Sequence, residues 1–153
     1  MAKRTVATVG YQATTVQHFL RALGEHDVEL LVDVRAVASS RRPGFAKTAL
    51  AANLAGAGID YLHLRDLGTP ADGRTAARAG RHDEMRRIFL AHMRTAPAQA
   101  DLDVLADIVR SGRRACLLCF EADPAHCHRS LVAAALARIV PIELVHIVPE
   151  DAE

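Results

Sequence analysis

The chain has 153 residues, 50% hydrophobic and 24% charged, with a formal net charge of +1 at pH 7. That length fits one domain able to bury a sizeable core, and the composition excludes a disordered chain. Near-zero net charge excludes a global attraction to polyanions, and an aromatic share of 4% with no Trp argues against a reader of single-stranded nucleic acid, which stacks bases on exposed rings. Positive charge is nonetheless gathered locally, at Arg35, Arg41 and Arg42 and again at Arg74, Arg78 and Arg81. No apolar stretch is long enough for a signal peptide or a membrane span, so a cytoplasmic chain with no membrane partner is expected. Three cysteines is an odd number, and cytosolic thiols are normally reduced, so no disulfide framework is expected.

Thr5 to Val9 is a short β-prone run ending in Gly10 and Tyr11. Thr14 or Thr15 can cap a helix whose apolar residues Val16, Phe19, Leu20 and Leu23 recur at helical spacing, with Gly24 closing it. Val28 to Val34 is a near-continuous apolar run, the pattern of a strand buried on both faces of a parallel sheet. The polar loop from Ser39 to Gly44 follows, then an Ala/Leu-rich helical segment from Phe45 to Ala57 and a third strand from Ile59 to Leu64. Arg65 to Arg81 reads as a long loop rich in Gly, Ala, Thr and Arg, and loops of that length are usually functional or mobile. Glu84 to Met93 is helical, and Pro97 reads as its breaker. Leu102, Leu105, Ile108 and Val109 mark the next helix, Ala115 to Leu118 a fourth strand, Leu131 to Val140 a last helix, and Ile142 to Val148 a last strand. Alternating strands and helices predict a single α/β domain over residues 1–153, a mostly parallel sheet of about five strands with helices on both faces.

Chemistry concentrates between the fourth strand and the last helix, in C-F-E-A-D-P-A-H-C-H-R-S from Cys119 to Ser130. A polar turn at the carboxyl end of a parallel strand is where open α/β sheets place ligands. Cys127 lies beside His128 and Arg129 at a helix start, a setting that lowers a thiol pKa and favours the nucleophilic thiolate. Cys119 ends the strand with Glu121 two residues on. It is either a second reactive thiol or a small apolar core residue, and Cys116 in mid-strand is expected to be core. Glu121 is placed to act as general base or to orient His128, while Asp123 before Pro124 fits a turn or a helix-dipole role. Arg129 and Ser130 open a helix whose N–H groups suit an anion, and Arg35 and Arg41 add positive charge from the neighbouring strand. Loops after the first, second and fourth strands are expected to bring Tyr11, Asp33, Arg35, Ser40 and Arg41 to the same edge. The C-x7-C-H spacing is not a standard zinc pattern, so neither a metal nor another cofactor is expected. His63 and His146 are expected to be sheet residues rather than ligands.

Four stretches carry a resemblance to a known family. They are T-V-G-Y (Thr8 to Tyr11), L-V-D-V-R (Leu31 to Arg35) followed by S-S-R-R-P-G-F (Ser39 to Phe45), G-I-D-Y-L-H-L and L-G-T-P within Gly58 to Pro70, and C-F-E-x-D-P-x-x-C-H-R from Cys119 to Arg129. In these the chain resembles the bacterial family called domain of unknown function 488. Ala38 departs from it, standing where the family often has proline. The resemblance implies a cytosolic α/β domain whose characteristic polar positions are Tyr11, Asp33, Arg35, Arg41, Cys119, Glu121, Cys127, His128 and Arg129, and it implies no established reaction. A fainter similarity to rhodanese sulfurtransferases and cysteine phosphatases stops at the loop, because Cys119 is too far from Arg129, and Cys127 too near, to form their Cys-to-Arg turn.

The expectation from sequence is therefore an enzyme or enzyme-like site for a small anionic ligand of phosphate, sulfate or nucleotide type. Cys119, Glu121, Cys127 and His128 would supply chemistry, and Tyr11, Asp33, Arg35, Ser40, Arg41, Arg129 and Ser130 would bind. A non-catalytic binding module is the alternative, and a nucleic-acid-associated protein the less favoured one. Oligomeric state is not readable.

Overall fold

The computed structural model describes residues 2–152. Five strands form one sheet: β1 (Arg4–Gly10), β2 (Leu30–Asp33), β3 (Asp60–His63), β4 (Ala115–Cys119) and β5 (Ile142–Ile147). Their order is β3-β2-β4-β1-β5, and every neighbouring pair is parallel. The central strands β2 and β4 are buried at every position, which is why their sequences read as unbroken apolar runs.

Six helices cover the sheet: α1 (Val16–Glu25), α2 (Lys47–Gly56), α3 (Ala71–Arg78), α4 (His82–His92), α5 (Ala96–Arg110) and α6 (His128–Ala137). Phe19 and Leu23 of α1 and Leu50 and Leu54 of α2 pack with Val9, Leu31 and Leu118 on one face. Phe89 of α4, Leu102 and Leu105 of α5, and Val132 and Leu136 of α6 pack with Val32 and Leu117 on the other. Each such side chain, fully buried, contributes on the order of 1.5–3 kcal/mol. Thr15 caps α1, its Oγ1 accepting from the His18 N–H at 3.2 Å.

Two expectations from sequence are corrected. Arg65 to Arg81 is not a loop: it holds a 3₁₀ turn (Arg65–Leu67) and then α3. The residues α3 buries are Gly73 and Ala76, so no large apolar stripe announces it. A side chain at Gly73 would press on Thr69 and Ile88, so its smallness sets how closely α3 approaches α4. Pro97 is not a breaker either. It lies in the first turn of α5, where its missing N–H has no helical partner to lose.

The topology fixes where a site can form. β1 and β4 are adjacent, yet α1 returns from β1 over one face and α6 returns from β4 over the other. Connections diverging from neighbouring parallel strands leave a crevice at the strands' carboxyl ends. Gly10 pairs with Cys119 there, and Asp33 with Leu118. Among the described residues, no helix is long and apolar enough to cross a membrane.

Candidate functional site

A cavity of about 830 Å³ occupies this crevice. Cys119, Glu121 and His128 lie at its floor, and Tyr11, Arg35, Ser40 and Arg41 line it too. Asp33, Cys127, Arg129 and Ser130 are not among its lining residues. The structure therefore gathers most of the residues singled out from sequence around the cavity and leaves four of them outside its lining.

Asp33 is completely buried and chelated by Arg35, which donates from Nε to Oδ1 at 2.8 Å and from Nη2 to Oδ2 at 2.7 Å. The Tyr61 hydroxyl donates to Asp33 Oδ2 at 2.5 Å. Arg35 Nη1 donates to the Tyr11 hydroxyl at 3.1 Å and to the Phe45 carbonyl at 2.8 Å. Burial works against the Arg35 charge, but the hydrogen bond and charge of Asp33 win and hold its pKa above the ordinary arginine value. Burial, then the bond to Asp33, pushes the Tyr61 hydroxyl up. Most of the Arg35 donors are thus spent inside the protein, and it braces the cavity wall more than it offers itself to a ligand. Tyr11 is clamped further, stacked on Phe45 with ring centroids 4.6 Å apart.

The Cys119–Ser130 loop is held in a different way. Gly10 lets it lie against β1, since any side chain there would collide with the Glu121 carbonyl. The Tyr11 N–H donates to the Phe120 carbonyl at 3.1 Å, and the Ala122 N–H to Gln12 Oε1 at 3.1 Å. Asp123 caps a 3₁₀ turn (Pro124–His126), accepting from the Ala125 N–H at 2.9 Å, and Ser130 donates to the Pro124 carbonyl at 2.7 Å. Asp123 and Ser130 therefore shape the turn. Arg129 is 1% exposed. It donates from Nη1 to the Glu121 carbonyl at 2.6 Å and from Nη2 to the Ala122 carbonyl at 3.3 Å. Its Nη1 also lies 3.4 Å from Cys119 Sγ, and its Nε has no partner among the described residues. Burial lowers its pKa below the usual value.

Cys119 and Cys127 are a pair. Their sulfurs meet across a Cα–Cα distance of 7.1 Å, longer than the range of about 4.4–6.8 Å usual for a disulfide. Cys119 Sγ also lies 3.7 Å from Glu121 Oε2. Burial raises the Glu121 carboxyl above its usual range, partly opposed by a backbone hydrogen bond and by Arg129. His128 Nε2 is 2.6 Å from the Val34 carbonyl, an acceptor only, so Nε2 carries the proton. That leaves Nδ1 bare, facing Cys127 Sγ at 3.8 Å. Burial pushes the His128 pKa down to about 4, so the ring is neutral. Cys116 is buried in mid-strand, and burial raises its thiol pKa strongly. Within the sheet, His63 Nε2 bonds the Arg35 carbonyl at 2.7 Å, and His146 Nδ1 bonds Thr8 Oγ1 at 2.5 Å.

Sequence reasoning did not place Arg42, Arg74 and Arg78 in the site, although all three line the cavity. Arg74 and Arg78 stand four apart on α3 and so share a face. The signal was present in their spacing but needed the helix to be seen. Arg41, Arg42, Arg74 and Arg78 form no ion pair with a carboxylate among the described residues.

Fold and site together define an α/β protein with a five-stranded parallel sheet and a cavity where the connections of β1 and β4 diverge. Residues 15–136 match the family described as "Domain of unknown function DUF488", and the chain belongs to that family. No curated protein matches it.

Proposed function

We propose that this chain is an enzyme, or an enzyme-like site, for a small anionic ligand of phosphate, sulfate or nucleotide type. One observation carries the reading: a single cavity is lined both by arginines without a carboxylate partner among the described residues, Arg41, Arg42, Arg74 and Arg78, and by Cys119, Glu121 and His128. Arg41, Arg42, Arg74 and Arg78 supply positive charge and multidentate N–H donors, which suit tetrahedral oxyanions. Cys119 is the sulfur of the pair that the ligand meets. Arg129, 3.4 Å from that sulfur and without a carboxylate of its own, favours its thiolate. Glu121, its carboxyl raised by burial above the usual range, holds a proton more readily than an exposed glutamate and can pass it to a bound ligand.

The test is thermal unfolding of reduced, chelator-treated protein with inorganic phosphate, sulfate or ADP, each against chloride of equal ionic strength. A ligand at 100 times its Kd raises stability by about 2.7 kcal/mol, so a concentration-dependent rise in Tm is expected. The rise should be lost in an Arg41→Ala/Arg78→Ala variant. If no anion exceeds the chloride control, the reading fails.

A further inference from the structure

We infer that the reduced pair Cys119 and Cys127, together with His128 Nδ1, forms a binding site for one soft divalent metal ion of the zinc type, open towards the cavity. The ligand atoms of these three residues all lie within 4.8 Å of one another. Zinc–sulfur and zinc–nitrogen bonds of about 2.3 and 2.0 Å at a tetrahedral angle put sulfur and nitrogen about 3.5 Å apart. Cys127 Sγ and His128 Nδ1 already stand 3.8 Å apart.

Three further features fit this chemistry. First, the Val34 carbonyl takes the Nε2 proton, leaving Nδ1 with a free lone pair aimed at the sulfurs. Metal-bound histidines are characteristically fixed in this way, through the other ring nitrogen. Second, the Cys119 and Cys127 Cα atoms are 7.1 Å apart, beyond the range of about 4.4–6.8 Å usual for a disulfide. Once reduced, the sulfurs have room to separate around an ion. Third, Arg129 sits 3.4 Å from Cys119 Sγ and is buried without a carboxylate partner, so it compensates the charge of a bound thiolate.

The spacing C-x7-C-H conceals this set, because α6 begins at His128 and the 3₁₀ turn before it folds Cys127 back onto the end of β4. Three protein ligands leave a tetrahedral ion one position short, as in metal sites that keep a place for water or substrate. Cys119 and His128 both border the cavity, so the vacant position faces the arginine wall. In the loaded protein Cys119 is a ligand, and an anion would meet the metal at the place where it otherwise meets the sulfur. The metal site does not depend on an anion being bound.

The experiment is titration of reduced, metal-free protein with Zn²⁺ against a chromophoric chelator, and in parallel with Co²⁺, whose visible spectrum reports tetrahedral thiolate coordination. Expected are one equivalent of tight Zn²⁺ binding and an intense tetrahedral Co²⁺ spectrum. Cys119→Ser and Cys127→Ser should each weaken Zn²⁺ binding at least about 100-fold, more than the 10–100-fold that loss of an outer-shell partner costs. Cys116→Ser should leave it unchanged, and prior oxidation of the pair should abolish it. Circular dichroism of the metal-free variants checks that they fold; should a serine variant not fold, the Co²⁺ spectrum of the unmutated protein decides. Absence of stoichiometric binding by the reduced protein, an octahedral Co²⁺ spectrum, or full affinity in folded serine variants would overturn the inference. The anion test above uses chelator-treated protein, so the two readings fail separately.

Discussion

Two buried arginines lie at the same edge of the sheet and are handled in opposite ways. Arg35, at the end of β2, is chelated by Asp33 and braced by Tyr11 and the Phe45 carbonyl. Arg129, at the start of α6, has two backbone carbonyls and a sulfur, with one N–H unpartnered. A buried charge removed from water is costly unless it is paired. Arg35 has its counter-charge built in, so it is part of the frame. Arg129 keeps its positive charge beside Cys119 Sγ, behind the cavity lining, so of two neighbouring strand ends one carries an arginine with its counter-charge and the other an arginine without one.

The largest way to break this contrast is to unpair Arg35. Asp33→Asn leaves a buried guanidinium without its counter-charge, and loss of one partner of a buried pair costs about 3–5 kcal/mol. Urea unfolding should show that loss, and a cost below 1 kcal/mol would contradict the supporting role.

Acid should act next, through His128. The folded-state pKa is about 4, below the unfolded value of 6.5, so the unfolded chain binds more protons between these limits. The stability held above pH 6.5 is therefore lost as pH falls from 6.5 towards 4, by an amount on the order of 3 kcal/mol. Glu121, raised in the fold, acts with the opposite sign, since its share of stability is lost as pH rises through its folded value. Chelator-treated Glu121→Gln protein, unfolded in urea at a series of pH values, isolates the histidine contribution. A flat profile would mean that His128 is not held neutral.

Arg129→Lys should cost less, about 1–3 kcal/mol, because a lysine cannot serve both carbonyls with the same planar fork. Its informative readout is alkylation of Cys119 against pH in reduced protein. The apparent pKa of Cys119 should rise as the fixed guanidinium charge leaves its sulfur. Unchanged Cys119 reactivity would show that Arg129 only pins the loop. The smallest effect on stability is expected for Arg41→Ala, an exposed residue without an ion pair among the described residues, at within ±0.5 kcal/mol. Its effect should appear in phosphate-dependent Tm instead, and a loss of stability without a change in phosphate response would remove Arg41 from the binding wall.

The alternation of strands and helices was legible along the chain. β2 and β4 are buried on both faces, so their apolar runs had to be continuous, and the amphipathic spacing of α1 declares its buried side. The strand-end motifs D-V-R and C-F-E also declared the edge where the cavity lies. Tertiary structure decided the rest. α3 was hidden because its inner face is Gly73 and Ala76, whose burial depends on a partner helix rather than on hydrophobicity. Whether Arg35 or Arg129 keeps a free charge depends on which groups fold around each one, and nothing local to either residue records that. Likewise, Cys119, Cys127 and His128 are eight and one residues apart along the chain, and only the 3₁₀ turn that brings them within 4.8 Å makes a single site of three separate side chains.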